Sequence, residues 1–137
     1  MPDRVSSDQR SRNMAAVRSM NTTPEEAVRT MLHAMGLRFR LHRRDLPGTP
    51  DIVLAKHSAV VLVHGCFWHG HNCPRGKPPA TRRDFWLPKL ARNKVRDAEQ
   101  ARELKTLGWR VLTVWECELK DKRSLAKRMV RWFGRGR

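Results

Sequence analysis

The stretch from Val61 to Cys73, V-L-V-H-G-C-F-W-H-G-H-N-C, constrains this chain more than any other, because it puts three His and two of the three Cys into thirteen residues. Packing does not account for that density. Cys66, His71 and Cys73 offer two thiolates and an imidazole at short spacing, a set suited to tetrahedral zinc and short of one ligand. The remaining cysteine, Cys117, supplies it, and His69 is an alternative to His71. A zinc closed by four protein ligands is structural and would pin a loop that the backbone alone cannot order. His64 and whichever imidazole zinc does not take are then left for other chemistry near the end of a strand.

Charge narrows the class of partner. The 137 residues carry 29 Lys and Arg against 13 Asp and Glu, a net +16, and the sequence pI is near 11.4. A field of that sign attracts polyanions, nucleic acid first among them. The length predicts one domain, residues 1–137, with a core of its own. No run has the apolar length of a membrane span, and no basic start leads into an apolar signal segment, so the expected location is cytosolic. An odd cysteine count beside clustered His favours metal ligation over disulfides.

Along the chain, residues 1–20 read as a basic arm with a short helix around Ser11 to Met20, where Arg10, Arg12 and Arg18 are candidate phosphate contacts. Thr23-Pro24-Glu25-Glu26 predicts a helix start with Thr23 as N-cap, and Gly36 its stop. Glu25 there either complements the helix dipole or belongs to a site. Leu37, Phe39 and Leu41 alternate with Arg38, Arg40 and His42, a half-buried strand. After the rigid Leu46-Pro47-Gly48-Thr49-Pro50 turn, Asp51 is either a turn residue or a metal-binding carboxylate. Ile52 to Leu54 and Ala59 to Val63 form a hairpin about Lys56-His57-Ser58, bringing Asp51 and His64 together.

Residues 64–80 form the zinc and aromatic loop. Helical pattern resumes at Thr81, with Pro88 expected to bend or break it, and a longer helix spans Asn93 to Leu107 with Val95, Ala98, Ala101, Leu104 and Leu107 inward. That register leaves Asp97 outside the apolar face, as a surface charge or as the carboxylate that fixes an imidazole's tautomer. Trp109 to Trp115 predicts a strand; beside Ala59–Val63 it would deliver Cys117 to the Cys66 loop. Ser124 to Phe133 predicts a last helix. The order helix, three strands, helix, strand, helix describes an α/β or α+β fold around a mixed sheet.

The chemistry these residues support is phosphodiester hydrolysis. Asp51 offers a hard oxygen suited to magnesium shared with a phosphate, and His64 and His69 either cap turns or supply an imidazole that can move a proton. Phe67, Trp68 and Trp86 are either core or a stacking wedge against bases.

These same motifs closely resemble the very short patch repair (Vsr) endonucleases: R-S-x-N-M ending at Met14, L-P-G-x-P-D ending at Asp51, H-G-C-F-W-H-x-H-x-C from His64 to Cys73, P-A-T-R at Pro79, F-W at Phe85, N-x-x-R-D from Asn93 to Asp97, and G-W-R-V-L-x-V-W-E-C ending at Cys117. The resemblance implies a restriction-endonuclease-like fold. It implies a monomeric, magnesium-dependent nick on the 5' side of the T in T:G mismatches of double-stranded DNA, repairing deaminated 5-methylcytosine. It assigns magnesium to Asp51 and the Val63 backbone carbonyl, proton transfer to His69 and Asp97, a place beside the phosphate to His64, and a water-positioning role to Glu25. Structural zinc falls to Cys66, His71, Cys73 and Cys117. Phe67, Trp68 and Trp86 would intercalate, with Met14 supporting the opposite groove. Val63 replaces the Thr often found in the family, which a backbone contact tolerates. Two other readings remain, a zinc-stabilised module that binds distorted DNA without cutting it and a general restriction-like nuclease.

Overall fold

The computed structural model describes residues 22–135. The expected arm, its helix and Met14 lie outside them. Elements follow in the predicted order: α1 (Thr23–Ala34), β1 (Arg40–Leu41), β2 (Ile52–Leu54), β3 (Ala59–His64), α2 (Arg83–Thr106), β4 (Arg110–Trp115) and α3 (Lys122–Arg135). The four strands form one mixed sheet in the order β1-β2-β3-β4. β1/β2 and β2/β3 are antiparallel, whereas β3 and β4 run parallel, from Ala59 opposite Arg110 to His64 opposite Trp115. The β2–β3 link is a single 3-10 turn, Ala55–His57, ended by Ser58 in the left-handed region.

Strand alternation sorts the core into two layers. Ile52, Leu54, Val61, Leu112 and Val114 face Val28 and Leu32 of α1 and Leu125, Met129 and Phe133 of α3. Val53 and Val60 face the other way, onto Leu104 of α2. β2 and the first four residues of β3 are thus covered on both faces, which explains their unbroken apolar runs. Among the described residues no helix is long and apolar enough to cross a membrane.

Local differences from the expectation have local causes. The N-cap of α1 is Thr22, whose hydroxyl accepts from the Glu25 backbone N–H at 3.3 Å, so the helix begins one residue earlier than its Pro suggests. Gly36 does end it, at φ 77°, with the Leu37 N–H bonded back to the Leu32 carbonyl. The first strand is cut to Arg40–Leu41, and Leu41 faces solvent, because the chain leaves the sheet at His42 with φ 49°.

Pro88 does not break α2, which runs 24 residues through it. It sits near the helix start and forfeits one bond, to the carbonyl of the exposed Asp84, which water can satisfy. The inward face of α2 also differs from the apolar register: Leu90, Asn93 and Leu104 are buried, while Val95 and Leu107 are exposed. Asp97 belongs to that inward set, spaced four after Asn93. The rule that the apolar face turns inward fails here because this part of the helix covers polar groups at the sheet edge.

Leu104→Ala should therefore cost about 2–5 kcal/mol, whereas Val95→Ala should change stability by less than about 0.5 kcal/mol. Urea unfolding of the two variants reads the register directly; equal losses would restore the apolar one.

Candidate active site and metal centre

Two loops leave the same sheet edge. Because His64 lies opposite Trp115 in a parallel pair, Cys66 and Cys117, each two residues further on, emerge side by side. The Cys117 N–H donates to Cys66 Sγ at 3.4 Å, and Cys117 Sγ lies 3.6 Å from His71 Nδ1. The donor atoms of Cys66, His71, Cys73 and Cys117 all lie within 4.8 Å of one another. A tetrahedral ion with bonds of about 2.0–2.3 Å sets donor–donor edges of about 3.5–3.8 Å, so the set fits such an ion. Burial, with the neighbouring thiols, pushes the Cys66 thiol up to about 12. Desolvation also opposes ionisation at Cys73, but His71 and the backbone N–H groups of Gly76 and Arg75 outweigh it and bring that thiol down to about 7. Crowded thiols of this kind ionise together only around a cation. The loop is wound tightly enough that a Cβ on Gly76 would lie 1.9 Å from the His71 carbonyl oxygen. His71 also stacks on Trp115, ring centroids 4.0 Å apart.

His69 turns the other way. Its Nδ1 donates to Asp97 Oδ2 at 2.5 Å, which places the ring proton on Nδ1 and leaves Nε2 for a substrate or water. The His64 ring stacks on His69 at 3.8 Å, nearly parallel to it. Burial first, then the His69 charge, lowers His64 to about 4, with Asp97 opposing. His64 is therefore neutral near pH 7, and its buried Nδ1 has no hydrogen-bond partner. Two stacked imidazoles cannot both be charged cheaply.

The carboxylates approach from the opposite side. Asp51 Oδ2 accepts from the Val63 N–H at 2.9 Å, an interaction across β2 and β3, while the Val63 side chain packs into the core. Burial raises Asp51 to about 6; the Val63 N–H opposes this, the Glu25 charge adds to it, and His42 reduces it. Glu25 is 2% exposed, far more buried than a dipole-complementing surface residue, and accepts from Arg29 and from His42. A divalent cation fits between two carboxylates that otherwise repel. Glu25, Asp51, Val63, Phe67, Trp68 and His69 line a cavity of about 150 Å³. Asp51, Val63, His64, His69 and Asp97, with His42, line an adjoining one of about 400 Å³. Asp51, Val63 and His69 line both cavities, with Glu25 on the first and Asp97 on the second.

Phe67, Trp68 and Trp86 meet edge to face, with centroids 5.1–5.9 Å apart, and Phe67 and Trp68 line the smaller cavity. Each is half-buried, so the three form a cluster of rings that brace one another rather than side chains splayed in solvent. Asn93, 6% exposed, donates to the Trp68 carbonyl at 2.8 Å and accepts from Arg96. That clamp ties the aromatic turn to α2.

Two contributors went unread in the sequence. His42 looked like the polar half of an alternating strand, and Asn93 marked a helix start and the head of the N-x-x-R-D motif without a role of its own. The available signal was a polar i, i+4 pair, Asn93 and Asp97, in the middle of a helix otherwise read by its apolar residues.

Because His71 faces the thiols and His69 faces Asp97, His71→Ala should lose the tightly bound metal and His69→Ala should keep it, read by elemental analysis of purified protein. Because a cation must displace the Asp51 proton, divalent binding should weaken as pH falls through about 6. Magnesium titration calorimetry should show that slope in the native chain and not in Asp51→Asn.

Comparison with known proteins gives one consistent result. The family model described as DNA mismatch endonuclease Vsr matches residues 2–75. The chain is 53% identical over 129 residues to the Type II nicking enzyme V.XorIIP of Xanthomonas oryzae pv. oryzae, covering 94% of this chain and 95% of that one. It is 42% identical over 129 residues to the DNA mismatch endonuclease Vsr of Escherichia coli K12, covering 90% and 83%. Among solved structures, the catalytic domain of the homing endonuclease I-Bth0305I shares the fold, with a TM-score of 0.57 at 20% identity over 85% of this chain and 98% of that one.

Proposed function

This chain belongs to the Vsr family of DNA mismatch endonucleases, and from that premise we propose that it nicks double-stranded DNA on the 5' side of the T in a T:G mismatch, using magnesium, as a cytoplasmic single-domain monomer. The observation that supports the reading is a pair of cavities that share Asp51, Val63 and His69, the first also lined by Glu25 and the second by His64 and Asp97.

In this proposal Asp51, with the Val63 carbonyl, holds magnesium, which when bound neutralises charge gathering on the scissile phosphate. Glu25 orients the attacking water. His69 Nε2 transfers the proton, and Asp97 keeps the ring in that tautomer and stabilises its charged form. His64, neutral, lies against the phosphate. Zinc on Cys66, His71, Cys73 and Cys117 stiffens the loop, so that Phe67, Trp68 and Trp86 enter the duplex beside the mismatch as one unit; unstacking is easiest where pairing is already weak. Met14 supports the opposite groove. The +16 charge supplies affinity for any duplex, so selectivity rests on the wedge.

With purified protein and magnesium, a T:G duplex should be nicked on the T strand and the matched duplex left intact. Asp51→Asn should slow nicking by about a thousandfold, the loss expected of several kcal/mol of transition-state stabilisation, while mismatch binding changes little. Asp97→Asn should cost about a hundredfold. Matched DNA cut as readily would instead make this a general nuclease.

A further inference from the structure

His42 has no part in the mechanism so far, yet it sits at the centre of the carboxylate side. Its Nε2 lies 3.0 Å from Glu25 Oε2 and 3.2 Å from Oε1. Its backbone N–H donates to the Asp51 carbonyl at 3.1 Å, locking the residue beside the Asp51 turn. Its φ of 49° is a conformation that non-glycine residues seldom adopt, and it aims the ring back under the sheet edge instead of along the strand. One oxygen of Glu25, one of Asp51 and a ring nitrogen of His42 all lie within 4.8 Å of one another. An octahedral ion with bonds of about 2.1 Å has adjacent donors about 3.0 Å apart, the spacing of the His42–Glu25 pair, and Asp51 lies close enough to complete the set with a small adjustment.

We propose that His42 is a nitrogen ligand in this cation site, so that Glu25, His42 and Asp51 together bind a divalent first-row transition ion, Mn²⁺ being the probe of choice. This rests on the reading above that Asp51 holds the catalytic cation. The Nε2 now facing Glu25 is the atom that turns to the ion, with the neutral ring carrying its proton on Nδ1. Imidazole adds little for magnesium, which prefers oxygen, but it adds affinity for manganese and cobalt. The site therefore discriminates among divalent ions through His42.

Pulsed EPR on Mn²⁺ bound to DNA-free, zinc-loaded protein tests this without reference to cleavage. The native chain should show the ¹⁴N modulation of one directly bound imidazole. His42→Asn, which tolerates the left-handed backbone, should lose that modulation and bind Mn²⁺ about tenfold or more weakly, while magnesium affinity changes less. Bound Mn²⁺ with no ¹⁴N coupling in the native chain, or coupling that survives in His42→Asn, overturns the His42 assignment. In either case, binding that Asp51→Asn still abolishes leaves the Asp51 reading standing. Mn²⁺ binding indifferent to Asp51→Asn overturns both.

Discussion

The parallel pairing of β3 with β4 is the interaction on which the rest depends. It is the contact that sets His64 opposite Trp115, and everything at the working edge is placed by counting outward from that register. Two residues on, Cys66 and Cys117 meet across 51 positions of sequence. A slip of one residue would turn every side chain of β4 to the opposite face and separate the thiols. The pairing is itself secured by burial on both sides, with α1 and α3 beneath and α2 above. Parallel strands need a crossover, and α2 is that crossover. The helix that covers the sheet is thereby the helix that brings Asn93 and Asp97 to the edge.

Much of this was legible because metal-binding and turn residues carry position with them. The Cys66, His71, Cys73 and Cys117 set could be read from spacing and from the expected neighbouring strands, and the element order followed from apolar periodicity. What could not be read had a common cause. Apolar periodicity leaves Asp97 open between a surface charge and a carboxylate behind an imidazole, because apolar residues normally mark the inward face, whereas α2 turns Asn93 and Asp97 toward polar partners. His42 was hidden because its position depends on a left-handed residue with no glycine to announce it. Helix pattern leaves Glu25 open between a first-turn acid and a site residue, and the tertiary approach of His42 and the Asp51 turn makes it a buried one. In each case local pattern was overruled by what the element packs against.

Electrostatics then divides the edge into two environments a few residues apart. The thiol cluster is shielded, and burial holds Cys66 at about 12; a soft, closed ligand set results. The Asp51 side is open to a cavity, with burial and the neighbouring Glu25 charge raising Asp51 to about 6, which suits a hard, exchangeable ion. His71 and His69, two residues apart, are committed to opposite sides of that boundary: one beside Cys117, the other bonded to Asp97. Around both lies a strongly basic chain, which draws in a polyanion without specifying where it is to be cut.

The most direct measurement is anomalous diffraction from a crystal of the protein with a mismatched duplex and Mn²⁺, collected at the zinc and manganese edges. The account predicts two separate ions at one end of the sheet: zinc enclosed by Cys66, His71, Cys73 and Cys117, and manganese at Asp51 on the side of the cavity facing His69. A manganese peak away from Asp51, or zinc ligated by His69 in place of His71, would contradict it.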